Sequence, residues 1–113
     1  MYQLAFKLAM AIFQESKNFP PQEKYSLTDQ IRRASRSVAA NIAEGYCKKL
    51  YPKMFVSKMA DPDGEGTETQ VRLDFAEACG YLSKNRQLEL RAGYEEIGRM
   101  LGSMMAHTEN FAP

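Results

Sequence analysis

Three arginines, Arg32, Arg33 and Arg36, crowd one short stretch of the sequence, and their guanidinium forks match the geometry of phosphate oxygens. Lys48, Lys49 and Lys53 follow soon after, and the set is the candidate contact for RNA or DNA. Each cation also has a plainer reading. Arg33 can pair with Asp29 at i,i+4, Arg32 and Arg36 can bridge to carboxylates on a later helix, and the lysines sit where a helix C-terminus favours positive charge. The overall balance supports the plainer reading. There are 15 basic and 14 acidic residues, a net charge of +1, whereas nucleic-acid-binding domains carry a clear basic excess.

Other candidate chemistries are weaker. Glu44, Glu65 and Glu68 suggest the carboxylate metal sites built inside helical bundles, but those sites use Glu-x-x-His pairs and no histidine follows any of the three at that spacing. No metal and no cofactor are implied. The single histidine, His107, lies near the C-terminus, far in sequence from Cys47 and Cys79, so a thiol nucleophile with an imidazole base is not indicated. The two cysteines form no C-x-x-C motif, which leaves them as reduced thiols of a cytoplasmic chain. No Gly-rich phosphate loop is present. No apolar run reaches the roughly 18 residues of a membrane span, and the start lacks the pattern of a secretory signal.

The elements that must position these groups are helical throughout. With 113 residues and 44% hydrophobic content, residues 1–113 suffice for one domain and one core. A first helix is predicted over residues 2–17, with Ala5, Leu8 and Ile12 on one face and Phe6, Met10 and Phe13 on another. Pro20 and Pro21 stop it. Ser26 and Asp29 form a helix-start pattern for the second helix, which ends near residues 45–49. Its core stripe is Leu27, Ile31, Ala34, Val38, Asn41 and Gly45, and Asn41 there reads as a polar residue that fixes register or oligomer state. The opposite face turns from arginine to Ala39, Ala40 and Ala43, small residues that admit a second helix at close range.

Pro52 opens the third helix. The DPDGEG stretch, residues 61–66, interrupts it, and Asp61 is expected to cap a restarted segment with Pro62 in its first turn. Val71, Phe75, Ala78 and Leu82 then read as the core stripe, with Leu73, Ala76 and Gly80 as a second apolar face. After a turn at residues 83–85, the fourth helix runs over residues 86–108 on Leu90, Tyr94, Ile97, Leu101 and Met104. Four helices of similar length joined by short loops predict an all-α, up-down-up-down four-helix bundle. Ala39, Ala40, Ala43, Leu73 and Ala76 are the expected contacts between copies, and Asn41, Glu65 and Glu68 are expected as core polar or ion-pair residues. Charge is segregated: residues 24–53 hold seven basic residues against two acidic, and residues 61–77 hold six acidic against Arg72.

FPPQEKYSLTDQIRRASRSVAANIAEGY (residues 19–46) followed by GEGTETQVRLDFAEACGYL (residues 64–82) resembles the four-helix bundle family of 23S ribosomal RNA intervening-sequence proteins. QIRR, the N-I-A-E-G run, Glu65, Glu68 and Thr69 in an E-x-x-E-T pattern, and Gly-Tyr-Leu before the last turn carry the resemblance. It implies a homopentameric barrel. A relative in that family is the accessory protein of diversity-generating retroelements, which binds nucleic acid and a reverse transcriptase. The chain departs from the family pattern at Arg72, where similar proteins carry tryptophan, at Pro62 and the glycines after it, and in its near-neutral charge. The reading that results is a non-enzymatic, homo-oligomeric bundle with an accessory or scaffold role and weak nucleic-acid binding. Its partners would be copies of itself and RNA, DNA or a nucleic-acid-processing protein. The alternative is a purely protein-binding assembly in which the arginines meet Glu65, Glu68 or Asp74 of a neighbour.

Overall fold

The computed structural model describes residues 1–46 and 52–107, and of residues 52–59 the backbone alone. Among these residues are four α-helices and no strand: α1 (Tyr2–Ser16), α2 (Leu27–Tyr46), α3 (Pro52–Ala78) and α4 (Lys84–Ala106), with a single 3-10 turn, Pro21–Glu23, between α1 and α2. Each helix packs on its chain neighbour, and α4 returns to α1, so the packing forms a closed ring.

The ring encloses one core. Ala5, Leu8 and Ile12 enter it from α1, and Leu27, Ile31, Val38 and Ile42 from α2. From α4 come Leu90, Tyr94, Ile97, Leu101 and Met104, the whole predicted stripe. Tyr94 is the largest fully buried side chain; its hydroxyl has no hydrogen-bond partner among the described residues, and burial pushes its phenol above the usual range. On α2, Ile42 is fully buried and Asn41 only half-buried, so the amide sits at the edge of the core, not in it.

The core side of α3 differs from the one expected. Leu73 and Ala76 are fully buried, while Val71 and Phe75 are 45% and 60% exposed and Ala78 is exposed. Leu73 and Ala76 continue a buried row that starts at Pro62, Gly66 and Thr69, a regular 4-3-4-3 repeat. Thr69 enters the apolar interior because its hydroxyl donates to the Glu65 carbonyl at 2.8 Å. Pro62 therefore does not start a new segment. It lies inside one continuous helix, its ring packed inward, and the packing of the buried row that follows it offsets the roughly 3 kcal/mol that an interior proline costs. Leu73, Ala76 and Ala39, expected between copies, are all buried in the chain's own core and have no surface left to offer. Ala40 and Ala43 are exposed.

The ends of the helices have local causes. α3 stops at Gly80, whose φ of 81° is the left-handed value that glycine adopts freely. Tyr81 N–H then bonds the Ala76 carbonyl at 2.8 Å and Gly80 N–H the Glu77 carbonyl at 2.9 Å, the paired bonds of a Schellman motif. Ser83 caps α4 by accepting from Arg86 N–H at 3.1 Å. At the same end of the molecule Phe19 packs on Tyr81 with ring centroids 5.7 Å apart. The Tyr81 and Ser26 hydroxyls both donate to the Glu23 carboxylate. The Ser26 bond, then the Tyr81 bond, holds that carboxyl below its ordinary pKa. Ser26, expected to cap α2 through its oxygen, thus spends its proton on the 3-10 turn instead.

Two positions on α4 give opposite predictions for the same substitution. A Cβ at Gly93 would lie 2.6 Å from a terminal carbon of buried Leu8, whereas one at Gly102 would meet nothing within 4 Å. Gly93→Ala should destabilise by about 1 kcal/mol, the overpacking cost less the gain in helix propensity. Gly102→Ala should stabilise by up to about 1 kcal/mol, and urea midpoints measured side by side check both.

A second prediction concerns pH. Asp74 of α3 accepts from Arg91 at 2.8 Å and from Gln87 at 2.7 Å. Desolvation pushes its carboxyl up, but the hydrogen bonds and the positive charge outweigh it and hold the pKa below the usual value. A depressed folded pKa contributes stability above the unfolded value of about 3.9 and loses it as pH falls through the folded one. The Asp74 side chain is 43% exposed, so solvent screening keeps the contribution to about 1 kcal/mol or less. Asp74→Asn should be less stable than wild type at pH 7, and the gap should close below about pH 4 in urea titrations across that range.

Candidate interaction surfaces

The arginines divide by the helix they face. Arg33 pairs with Asp29 at 3.1 Å and is otherwise in solvent, as the i,i+4 spacing predicts. Arg32 and Arg36 do not bridge to α3. Arg32 donates from Nε to the Ser16 hydroxyl of α1 at 2.7 Å and lays its guanidinium over the Phe13 ring at 4.8 Å. Arg36 lies over the same ring at 5.7 Å, and Lys17 Nζ at 4.9 Å. Three cations thus surround one half-buried phenylalanine, each attracted to the negative face of the ring but close to the others. None of the three forms an ion pair among the described residues. Lys17 belongs to this group although the arginines alone attracted notice; its place four residues after Phe13 is the signal for it.

The same side of the molecule is apolar. Phe6 and Met10 are 52% and 43% exposed, and with exposed Tyr2 and half-buried Phe13 they form a stripe along α1 outside the core. Tyr2 and Phe6 contact one another, ring centroids 6.2 Å apart.

Across α2 the chemistry reverses. Glu65 and Glu68 stand on the α2-facing side of α3, where with Asn41, Asp61 and Gly64 they line a groove of about 390 Å³. Burial first, then repulsion by and hydrogen bonding with Glu68, raises the Glu65 carboxyl above its ordinary pKa. Glu65, Glu68 and Asn41 are therefore brought together, but on the surface between two helices and not inside the bundle. Farther along the same seam a groove of about 460 Å³ opens between Leu27 and Gln30 of α2 and Val71, Arg72 and Phe75 of α3, with exposed Cys79 at its rim. Arg72 donates to the Glu68 carbonyl at 3.3 Å, while its buried Nε has no partner.

The remaining sequence candidates are apart. Among the described residues no group of three or more His, Cys, Asp or Glu side chains is placed to hold a metal ion. Exposed His107 follows the C-terminal end of α4, with Nδ1 3.1 Å from the Ser103 carbonyl, while Cys79 lies before its N-terminal end. A helix of 23 residues, about 35 Å, separates them. Within the chain Asp74 is paired with Arg91 and not with the arginines of α2. Cys47, Lys48 and Lys49 lie outside the described residues, as does the side chain of Lys53. No described helix is long and apolar enough to cross a membrane.

No curated protein is significantly similar to the chain in sequence. Among solved structures, the chain is similar to a protein of unknown function from the S23 ribosomal protein family of Bacteroides thetaiotaomicron, with a TM-score of 0.82. The likeness covers 92% of this chain and 96% of that one at 22% identity, and so concerns the fold. At the level of sequence, residues 1–103 match the model of one family across nearly the whole chain: the protein belongs to the 23S rRNA-intervening sequence proteins.

Proposed function

We propose that this protein is a non-enzymatic assembly module of the cytoplasm, an up-down-up-down bundle whose copies associate into a homo-oligomer that serves as a scaffold or accessory protein. The observation that carries the proposal is the exposed stripe of Tyr2, Phe6 and Met10 on α1. A contiguous apolar strip that a small core does not use marks a surface for another protein. The resemblance read from the sequence supports five copies. A second reading, weak binding of RNA or DNA, has one observation in its favour: Lys17, Arg32 and Arg36 cluster without a carboxylate partner among the described residues.

Light scattering coupled to size exclusion, with and without nuclease treatment, tests both. A mass about five times 12.8 kDa that nuclease leaves unchanged is the expected result. A monomer would overturn the assembly reading, and a nuclease-sensitive mass with excess absorbance at 260 nm would put nucleic acid first. Phe6→Glu should leave helicity near wild type, because the side chain is outside the core, yet shift the protein to monomer, because the stripe then carries a charge that association must bury. If RNA is bound, its affinity should fall log-linearly with salt, with a slope reporting the few phosphates contacted.

A further inference from the structure

We infer that the α2–α3 seam is a docking groove for a cationic amphipathic helix of another protein, whose apolar side chains lie on Val71 and Phe75 and whose lysines or arginines meet Glu65 and Glu68. Such a helix is what the proposed scaffold would hold, so the inference rests on that reading and names the partner by its chemistry.

The seam is shaped by one row of α3. Asp61, Glu65, Glu68, Arg72, Phe75 and Cys79 recur at 4-3-4-3-4, the spacing of a single helix face, and all of them line the two grooves along α2. At 1.5 Å per residue the row is about 27 Å long, the length of a helix of about 18 residues. Its chemistry changes from one end to the other. The groove of about 460 Å³ holds the apolar surface, with Val71 and Phe75 45% and 60% exposed beside Leu27. The groove of about 390 Å³ holds Asp61, Glu65 and Glu68. An apolar groove between two helices is a seat for a third, which enters it with side chains at i, i+3, i+4 and i+7.

Charge selects the partner. The two linings contain four carboxylates, those of Glu23, Asp61, Glu65 and Glu68, against the one guanidinium of Arg72. Arg72 is itself turned to the Glu68 carbonyl, at 3.3 Å. Among the described residues neither Glu65 nor Glu68 forms an ion pair, because the cations of the chain are engaged elsewhere. Lys17, Arg32 and Arg36 gather on Phe13 at the other flank of α2, and Arg91 is paired with Asp74. Glu65 is left against Glu68, like charge beside like charge, and a partner's ammonium or guanidinium would remove that repulsion. A polyanion or an acidic helix would add to it. The seam also lies across α2 from the exposed stripe of α1, so one chain can use both surfaces at once, as a scaffold must.

The probe is a fluorescein-labelled peptide of about 18 residues, leucine and lysine alone in an amphipathic helical pattern, with its leucine–glutamate counterpart as control. Fluorescence anisotropy should show saturable binding of the first and none of the second. Glu65→Gln together with Glu68→Gln should weaken binding by about 10-fold, the worth of two surface ion pairs. Phe75→Ser should weaken it by about as much through lost apolar contact. None of the three side chains belongs to the core, so helicity should stay at the wild-type level. With Cys47→Ser in place, saturating peptide should slow alkylation of exposed Cys79 by iodoacetamide several-fold, a readout independent of charge.

Phe6→Glu, which should separate the copies, should bind the peptide as wild type does. A peptide that binds the Phe6→Glu protein and not the wild type would give the seam to a second copy and overturn the inference. Equal affinity for the two peptides, no loss with the glutamine pair, or binding that leaves Cys79 unprotected would overturn it as well, as would no binding to either protein. A monomeric wild type that binds the peptide would refute the association of copies and leave the docking groove standing.

Discussion

A bundle of four helices has one interior, and each helix can turn only about a third of its circumference toward it, a stripe of roughly 100°. Everything unusual in this protein follows from having more apolar surface than that interior accepts. On α1 the stripe through Ala5, Leu8 and Ile12 is taken, so Phe6 and Met10 are left outside. On α3 the stripe through Leu73 and Ala76 is taken, so Val71 and Phe75 are left outside. Both remainders lie on the flanks of α2, and in each case charged residues stand beside them.

The interior itself is filled by pairing large side chains with small ones. Tyr94 is accommodated because the facing row on α3 offers Pro62 and Gly66; a Cβ built on Gly66 would come to 4.0 Å from the tyrosine ring. Gly93 beside it lets Leu8 of α1 approach the backbone of α4. These small residues look like helix breakers in a linear sequence. In the fold they are the complement of bulk elsewhere, and the helix tolerates them because packing, not intrinsic propensity, supplies most of its stability.

This contrast decides what the sequence could reveal. α4 was legible to within two residues at each end, since Leu90, Tyr94, Ile97, Leu101 and Met104 repeat at helical spacing with strongly apolar side chains. α3 misled because its true core row reads Pro62, Gly66, Thr69, Leu73, Ala76, which by composition looks like loop and polar face. Val71 and Phe75 form a stronger apolar signal at the same spacing, and periodicity alone cannot say which of two stripes faces inward. The Arg33–Asp29 pair was legible because it is local to one helix. The placement of Arg32 and Arg36 on Phe13 was not, because it depends on how α1 is rotated against α2, a tertiary quantity. Asn41 was assigned to the core by the same stripe that holds Val38, but the neighbouring Ile42 fills that place and leaves the amide at the seam with Glu65 and Glu68.

Segregated charge with almost no net charge is itself an argument about partners. A polyanion is drawn by long-range field, and a net charge of +1 supplies little of it beyond the Debye length of about 8 Å at physiological salt. It would also have to lie along the basic side of α1 and α2 without meeting the carboxylates on the other side of the same helix, which confines it to a short track. A partner whose own field is equally bipolar would meet neither difficulty, since its attraction depends on orientation and not on net charge. Any such partner that covered Phe6 and Met10 would draw affinity from their burial, at about 25 cal/mol for each Å² removed from water, while the charges selected the direction of docking.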